Sequence, residues 1–316
     1  MENAEKRGDF LTLDYTELDK AAAELHCALL QNEPMSRHTT FRIGGEADRF
    51  LTVENQNQLT ALLGVLRQKD LPWLLLGNGS NLLVSDEGFR GAVLALGGEF
   101  AKLQLLPDGK TVRAGAGVML ASLCAFARDR SLTGLEFAWG IPGSVGGAAY
   151  MNAGAYGGEM KDVVKAVTHL TPGGELVTLP REALELSYRH SRYTGGKDII
   201  LSVDYELELG DPAEIAGKME ELMGRRKEKQ PYDMPSAGSV FKRPANGFAA
   251  AMIEECGLKG KQIGGAQVSP KHAGFIVNTG GATCKDVLEL IGLIQKTVEE
   301  RTGTRLECEV RMTGQA

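Results

Sequence analysis

The sequence predicts an α+β fold, and the spacing of its apolar residues is the basis of that prediction. Short apolar runs at residues 73–76, 92–96 and 111–114 are separated by glycine turns, which is typical of strands. Helical patterns lie around them at uneven intervals, so the chain lacks the regular alternation of a βαβ array. A chain of 316 residues is long for one core, and we therefore expect two or three domains.

Three helices are predicted in the N-terminal part of the chain. Residues 15–31 place leucines and alanines on one helical face. The second helix starts at Asn55, a residue suited to an N-cap, and ends before Pro72. The third covers residues 120–130. The predicted strands therefore lie between the second helix and the third.

The C-terminal part begins with a strand predicted over residues 199–209, where a continuous apolar run changes to alternation. Asp211 and Pro212 then start a helix, because Asp is a good N-cap and Pro fits the first helical position. A last helix is predicted over residues 285–300, and a last strand over residues 305–312.

The main domain boundary is predicted at residues 208–212, where glycine, aspartate and proline interrupt the pattern. This boundary divides the chain into three parts. They are an N-terminal helical segment, a main domain and a C-terminal domain, over residues 1–34, 35–209 and 210–316.

Composition and charge exclude several classes of protein. The net charge of -6 and the pI near 5.6 argue against a basic nucleic-acid surface. No apolar run approaches the roughly 20 residues of a membrane helix, and the charged N-terminus lacks the apolar core of a secretory signal. The five cysteines are scattered without a Cys-x-x-Cys pair, which is typical of reduced thiols. We therefore predict a cytoplasmic protein with no nucleic-acid or membrane partner.

Two glycine-rich loops are the most informative feature of the chain. The first, at residues 77–82, follows an apolar run directly; the second, at residues 140–148, continues into a glycine-rich tail that reaches Gly157. Glycine permits positive φ angles and lets a ligand approach the main chain. Because both loops are poor in lysine, they predict a large anionic cofactor held mainly by backbone N–H groups.

Better-known nucleotide loops do not fit the first of these segments. Leu82 occupies the position of the third glycine in a Rossmann fingerprint, and no amphipathic helix follows it. The Gly-Lys-Ser/Thr end of a P-loop is absent from it as well. A single Gly-Asn-Gly-Ser turn is more often a plain hairpin, but a second loop with several glycines is costly in chain entropy for a simple connection.

Six motifs, taken together and in order, resemble the UDP-N-acetylenolpyruvoylglucosamine reductase family. The resemblance covers about residues 32–314 and implies an α+β fold. It comprises an FAD-binding domain of the vanillyl-alcohol-oxidase (PCMH) type in two small α+β halves, and a C-terminal α+β substrate domain. The chain resembles the shorter subtype, which lacks a tyrosine-bearing insertion after Ser239. The motifs are Thr39–Gly45, Gly77–Asn81, Gly140–Gly147, Ser187–Arg189, Gly238–Lys242 and Leu306–Val310.

The resemblance implies an activity and its cofactors. The family reduces an enolpyruvyl ether of a UDP sugar to a lactyl ether in peptidoglycan precursor synthesis, with FAD as hydride carrier and NADPH as co-substrate. Neither glycine loop contains a histidine or cysteine that would tether a flavin, so noncovalent FAD is expected. No two histidines have metal-ligand spacing, and we predict no metal. We also expect a monomer that acts on a small nucleotide-sugar substrate.

Three residues resemble the catalytic group of the family. Arg189 matches the arginine at the substrate carboxylate, where a guanidinium can bind two oxygens. Glu309 matches the acid that helps to polarise the same group, and Ser239 matches the proton donor. Without the resemblance, Arg189 lies in an ordinary polar loop and Ser239 follows a turn. Glu309 by itself lies on an alternating strand, whose polar face is usually solvent-exposed.

The resemblance also implies residues that hold the cofactor and the substrate. Arg243 departs from the longer subtype, which has a substrate-contacting asparagine there, so uridine and diphosphate contacts are expected to differ. The substrate candidates are Tyr188, Arg225, Arg226, Lys229, Lys242 and Glu255. The FAD candidates are Phe41, Ile43, Gly44, Gly77, Asn78, Gly79, Ser80, Asn81, Leu82, Gly140, Ile141, Pro142, Gly143, Ser144, Gly146, Gly147, Ala148, Asn152, Gly154, Ala155 and Ile200.

Two alternative functions stay open at the level of sequence. One is a different oxidoreductase of the same flavin-binding superfamily, such as an oxidase of alcohols or sugars. The other is a binding protein that kept the fold but lost activity; loss of Arg189, Ser239 or Glu309 would indicate it, and all three are present.

Overall fold

The computed structural model describes residues 13–314. The helices are α1 (Thr16–Glu24), α2 (Gln56–Gln68), α3 (Leu120–Arg128), α4 (Val145–Met151), α5 (Met160–Val163), α6 (Pro212–Lys229), α7 (Ala249–Glu255) and α8 (Cys284–Thr302). The strands are β1 (Ala28–Pro34), β2 (Glu46–Val53), β3 (Trp73–Leu76), β4 (Leu82–Val84), β5 (Phe89–Leu96), β6 (Leu103–Leu105), β7 (Thr111–Gly115), β8 (Leu132–Thr133), β9 (Gly154–Ala155), β10 (Gly158–Glu159), β11 (Val164–Leu170), β12 (Leu176–Pro180), β13 (Ile199–Glu206), β14 (Glu208–Leu209), β15 (Ser236–Ser239), β16 (Gln262–Ile263), β17 (Ala266–Val268), β18 (Phe275–Asn278) and β19 (Arg311–Thr313).

The first unit is a four-stranded sheet in the order β1-β2-β5-β3, covered by α1 and α2. The strands β2, β5 and β3 run parallel, and β1 pairs antiparallel with β2. The start of α2 is as predicted, because the Asn55 side chain accepts a hydrogen bond from the Gln58 backbone N–H at 3.0 Å. Leu59, Leu62 and Leu66 bury the inner face of that helix.

The N-terminal segment differs from the prediction. The helix expected over residues 15–31 ends at Glu24, and residues 28–34 form the edge strand β1 instead of helix. His26 adopts a φ of 56°, which an L-residue cannot continue as a right-handed helix. Pairing of β1 with β2 outweighs the helical spacing of the leucines, so this segment is part of the first sheet. The predicted segment's residues 1–12 lie outside the described part of the chain.

The second unit is an antiparallel sheet of five strands in the order β12-β11-β13-β7-β6. Helices α3, α4 and α6 pack against its core. As predicted, Asp211 caps α6 by accepting hydrogen bonds from two backbone N–H groups, and Pro212 opens the helix. Ile215 and Met219 of α6 belong to this core, and the domain boundary at residues 208–212 stays a prediction.

The third unit has an antiparallel sheet in the order β15-β18-β17-β16, on which α7 and α8 pack. Helix α8 starts with a capping box between Thr283 and Asp286 and ends at Gly303, whose φ of 71° is left-handed. Its core also takes in Phe41 and Leu83, which come from the first unit. The third unit is therefore joined to the first by shared packing.

The last strand of the chain differs from the prediction of residues 305–312: it is shorter and covers only Arg311–Thr313. Only β19 is a regular strand there, and it pairs parallel with β4, immediately after the first glycine loop. The backbone of Cys308 forms an isolated antiparallel β-bridge with the backbone of Phe241. The Asp86 carboxylate also accepts hydrogen bonds from the first backbone N–H groups of α8, Cys284 at 2.7 Å and Lys285 at 3.0 Å. The first and third units are thus connected by a strand pair and a helix cap.

Candidate active site between the glycine loops

A cavity of about 1610 Å³ lies where the three units meet, and both glycine loops line it. This volume exceeds the roughly 300–1,000 Å³ of typical small-molecule sites. It is therefore large enough for an extended cofactor and a substrate together. Within residues 13–314, no group of three or more His, Cys, Asp or Glu residues is placed to hold a metal ion.

The first loop, residues 77–81, is pressed against the chain segment that precedes β2. Gly79 has a φ of +59°, and a Cβ on it would lie 2.1 Å from the carbonyl oxygen of His38. The backbone N–H of Thr40 donates to the Gly79 carbonyl at 3.3 Å. Only glycine fits this position, because both the conformation and the close approach exclude a side chain.

The second loop, residues 140–148, touches the first. The Asn78 side-chain amide donates to the Pro142 carbonyl at 3.1 Å. A Cβ on Gly77 would lie 2.6 Å from the Ser144 hydroxyl, which caps α4 by accepting from the Gly147 N–H. The two loops are therefore one structure, and a change in either is expected to displace the other.

Arg189, Ser239 and Glu309 all line the same cavity. The Nε of Arg189 lies 2.5 Å from Oε1 of Glu309, although 120 positions separate them in sequence. The backbone N–H of Glu309 donates to the carbonyl of Val240 at 2.7 Å, which holds Glu309 beside the residue that follows Ser239. The structure thus brings together the three residues that the sequence assigned to catalysis.

Burial affects the ionisation of the Arg189–Glu309 pair. Burial raises the pKa of the Glu309 carboxyl, and the nearby Arg189 and Lys242 partly oppose that rise. Within residues 13–314, the buried Nε of Arg189 has the Glu309 carboxylate as its one close partner, at 2.5 Å. A buried arginine beside a carboxyl whose pKa is raised is suited to bind a substrate carboxylate.

The first glycine loop is also bonded to the segment that bears Glu309. The Asn81 side-chain amide donates to the Glu309 carbonyl at 3.2 Å. The Asn81 carbonyl accepts from the Arg311 N–H at 3.0 Å. Asn81, which the sequence assigned to the cofactor, therefore holds the acid's backbone in addition to lining the cavity.

Most of the predicted FAD residues line the cavity, but four do not. Phe41 and Ile43 are buried in the core of the third unit, and Gly44 packs against Val84. Asn152 caps α4 in a left-handed conformation, and its amide donates to Glu159 and to the Ser187 carbonyl. The predicted residues that do line the cavity are Gly77, Asn78, Gly79, Ser80, Asn81, Leu82, Gly140, Ile141, Pro142, Gly143, Ser144, Gly146, Gly147, Ala148, Gly154, Ala155 and Ile200.

Of the predicted substrate residues, Arg226 alone lines the cavity. Arg225 pairs with Glu221 along α6, and Lys242 pairs with Glu307. The Tyr188 hydroxyl accepts a hydrogen bond from the Arg243 N–H at 3.1 Å. Lys229 and Glu255 are exposed to solvent. These two residues, together with Tyr188, Arg225 and Lys242, lie outside the lining of the cavity, and their role in substrate binding stays a prediction.

Several cavity residues were not identified from the sequence. Arg311 lines the cavity, and its guanidinium lies 4.9 Å from the centre of the Tyr150 ring. Thr40, Arg42 and Gln230 line it too. The position of Arg311, two residues after Glu309 and hence on the same face of an extended chain, was the one available signal for it.

Two connected glycine loops over a large cavity that holds an arginine–glutamate pair and a serine define a cofactor-dependent enzyme with one shared site for cofactor and substrate. Comparison with known proteins makes this specific. Residues 47–180 match the family described as FAD binding domain. Residues 230–313 match the family described as UDP-N-acetylenolpyruvoylglucosamine reductase, C-terminal domain.

Related proteins agree over nearly the whole chain. A UDP-N-acetylenolpyruvoylglucosamine reductase of Lachnoclostridium phytofermentans is 47% identical over 90% of this chain and 92% of its own length. That of Caldanaerobacter subterraneus is 48% identical over 91% and 94%. The crystal structure of the reductase from Thermus caldophilus superposes with a TM-score of 0.77 at 37% identity, over 90% of this chain and 98% of that one.

The chain belongs to the UDP-N-acetylenolpyruvoylglucosamine reductase family. The fold class predicted from the sequence is confirmed, and so are the flavin-binding domain and the oxidoreductase class. None of the helices in residues 13–314 has both the length and the apolar character needed to cross a bilayer.

Proposed function

We infer that this protein is an NADPH-dependent FAD enzyme that reduces UDP-N-acetylglucosamine enolpyruvate to UDP-N-acetylmuramate in peptidoglycan precursor synthesis. The observation that supports this most directly is the location of Arg189, Ser239 and Glu309 in one cavity with both glycine loops. Family membership alone would not exclude an inactive relative, but the intact catalytic group argues against one.

The residues present fit a noncovalent dinucleotide cofactor. The loops offer backbone groups at glycine positions that face a cavity of about 1610 Å³. Among the residues that line it in the described chain there is no histidine or cysteine, the side chains that most often tether flavins covalently. When bound, FAD supplies the hydride chemistry, accepting hydride from NADPH and delivering it to the enolpyruvyl double bond.

The protein's own side chains handle the charge and the proton. Arg189 binds the enolpyruvyl carboxylate, on which negative charge grows as hydride reaches the terminal methylene carbon. Glu309, with its raised pKa, holds a proton beside that carboxylate and helps to polarise it. Ser239 donates its hydroxyl proton to the carbon that bears the carboxylate, which completes the reduced lactyl ether.

We further propose that the enzyme works as a monomer in the cytoplasm. All five cysteines are free thiols, which supports a reducing compartment. The co-substrate and the nucleotide sugar are both soluble and anionic, and the cavity opens to solvent within one chain.

A two-step assay tests the proposed function. The purified protein is expected to be yellow and to lose its flavin absorbance when NADPH is added without oxygen. The absorbance is expected to return when the enolpyruvyl nucleotide sugar is added, which stopped-flow spectroscopy can follow. A flavin oxidase would instead be reduced by a simple alcohol or sugar and re-oxidised by oxygen, and an inactive binding protein would not be reduced at all; either result would contradict the proposal.

The pH dependence of the second step tests the role of Glu309. Because burial raises the pKa of Glu309, its acid form persists to higher pH than that of a free glutamate. A step that needs the acid form is lost as pH rises through the raised pKa. We therefore expect the rate of re-oxidation by substrate to fall as pH rises through this range, which gives the pH–rate profile a descending limb. This limb is expected to be absent in Glu309→Gln. An identical pH profile in that variant would assign the limb to another group.

A further inference from the structure

The motif Thr39–Gly45 has no part in the chemistry described so far. The three motif residues that the resemblance assigns to the cofactor lie outside the cavity lining, whereas Thr40 and Arg42 belong to it. The motif folds into a tight turn, in which the Thr39 hydroxyl donates to the Ile43 carbonyl at 3.0 Å and Arg42 has a left-handed φ of 55°. A non-glycine residue keeps this conformation only where its surroundings fix it. The turn is therefore a defined part of the cavity wall.

Thr40 joins the two parts of the site that the reaction has to bring together. Its backbone N–H donates to the carbonyl of Gly79 in the first glycine loop, at 3.3 Å. Its hydroxyl donates to the carbonyl of Ser236 at 2.7 Å, although 196 positions separate these two residues in sequence. Ser236 is the first residue of β15, and Ser239 is the last. Through one residue, the first glycine loop is bonded to the strand that carries the proposed proton donor.

The direction of Ser239 depends on an irregularity in β15, which is an edge strand of its sheet. Ser236 lies opposite Val277 of β18. Ser239, three residues later, lies opposite Phe275, only two residues away from Val277, so β15 contains one extra residue. Gly238, within this bulge, has a left-handed φ of +77°. Because a β-bulge bends its strand and redirects the side chains that follow, the position of Ser239 depends on how the bulge is held.

The turn is bonded to both strands of this edge. The Asn278 amide of β18 donates to the Phe41 carbonyl at 3.1 Å, which fixes the residue after Thr40 to the neighbouring strand. The backbone N–H of Asn278 donates to the carbonyl of Pro235, directly before β15, at 2.9 Å. Asn278 thus sets the level of the turn along the sheet, and the Thr40 hydroxyl bonds the turn to β15 where the bulge begins.

We propose that Thr40 is a positioning residue for the protonation step, because its hydroxyl bond to Ser236 fixes the β15 bulge and so keeps the Ser239 hydroxyl in place relative to the first glycine loop. This inference rests on the proposed function, in which a hydride and a proton reach neighbouring carbons of one substrate. Such transfers need reacting atoms about 3–3.5 Å apart, and a displacement of about 1 Å can cost roughly 100-fold in rate.

Thr40→Val tests this role, since it removes the hydroxyl but keeps the branched shape and the backbone N–H that donates to Gly79. At saturating substrate, we expect re-oxidation of the reduced flavin to slow by roughly 10-fold or more. Reduction by NADPH is expected to stay within roughly 2-fold of wild type, and the FAD dissociation constant to be unchanged. Thr40→Ser restores the hydroxyl, and it should return re-oxidation close to the wild-type rate. Stopped-flow spectroscopy and fluorescence titration measure these quantities.

A double variant shows whether Thr40 acts through Ser239. In a Ser239→Ala background the proton donor is already absent, so adding Thr40→Val should slow re-oxidation no further. Slowing by the same factor as in the wild-type background would mean that Thr40 acts independently, and the inference would be wrong. It would be wrong also if Thr40→Val weakened substrate binding while leaving the saturating rate unchanged, because that result indicates direct contact with the substrate.

Thr297→Val is the matched control. The Thr297 hydroxyl likewise donates to a backbone carbonyl, that of Leu293 at 2.8 Å, but it lies on α8 outside the cavity lining, so both half-reactions should match wild type. Thr40→Ala removes the hydroxyl without placing a methyl group against the Ser236 carbonyl, and it repeats the test if the valine variant does not fold. Unchanged re-oxidation, or equal slowing of both half-reactions, would overturn the inference. Failure of the proposed function is distinguishable, because the enolpyruvyl substrate would then not re-oxidise the wild-type protein either.

Discussion

Ser239→Ala is expected to slow re-oxidation of the reduced enzyme by the enolpyruvyl substrate by roughly 10²–10⁴-fold, the usual contribution of a positioned proton donor. Reduction by NADPH is expected to be nearly unchanged, because that step needs no proton on the substrate carbon. Stopped-flow measurement of the two half-reactions separates these effects.

The control for this variant lies in the same strand. Ser236→Ala removes an equal hydroxyl three residues earlier on β15, where the backbone carbonyl and not the side chain bonds to Thr40. It should leave both half-reactions close to wild type. Equal slowing of both steps in Ser239→Ala would mean that the serine is structural, and the assignment of the proton donor would then be wrong.

Gly79→Ala is expected to remove FAD from the purified protein. The left-handed φ of Gly79 costs a non-glycine residue about 1–2 kcal/mol. The new Cβ would also lie 2.1 Å from the His38 carbonyl oxygen, so the first loop must move. Because Asn78 ties this loop to the second one, both halves of the cofactor site are disturbed. We expect the FAD dissociation constant to rise more than ~10-fold, equivalent to about 1.4 kcal/mol, by fluorescence titration.

Gly109→Ala is the matched control. Gly109 also has a left-handed φ, +70°, but no atom lies within 4 Å of its Cβ position. This variant carries the conformational cost without the collision, and it should lower stability slightly while keeping FAD. If Gly79→Ala bound FAD as tightly as Gly109→Ala, the close approach at the first loop would have no part in cofactor binding.

Local signals in the sequence were sufficient for elements that begin with a strong cap. Helix α2 starts after Asn55 and helix α6 after Asp211, as predicted, because a capping side chain acts on neighbours in the chain. The N-terminal segment was mispredicted since its leucines have helical spacing, whereas residues 28–34 are held by partners in β2 about twenty positions away.

Long-range packing explains the other differences. Helix α6 has an apolar face that could cover either neighbouring unit, and nothing in its own sequence shows that it joins the second core. Glu309 has the alternation of a solvent-exposed strand residue, yet its side chain is only 9% exposed and lies against Arg189. Only the resemblance to a family identified this pair, because the two residues are brought together by tertiary structure alone.

The pairing of β19 with β4 has a mechanical consequence. A hinge that swung the third unit away from the first would have to break this parallel strand pair and the cap that Asp86 places on α8. The same motion would carry Glu309 away from the cofactor loop to which Asn81 binds it. We therefore expect ligands to enter and leave by the open mouth of the cavity while the acid and the flavin-binding loop keep a constant separation throughout turnover.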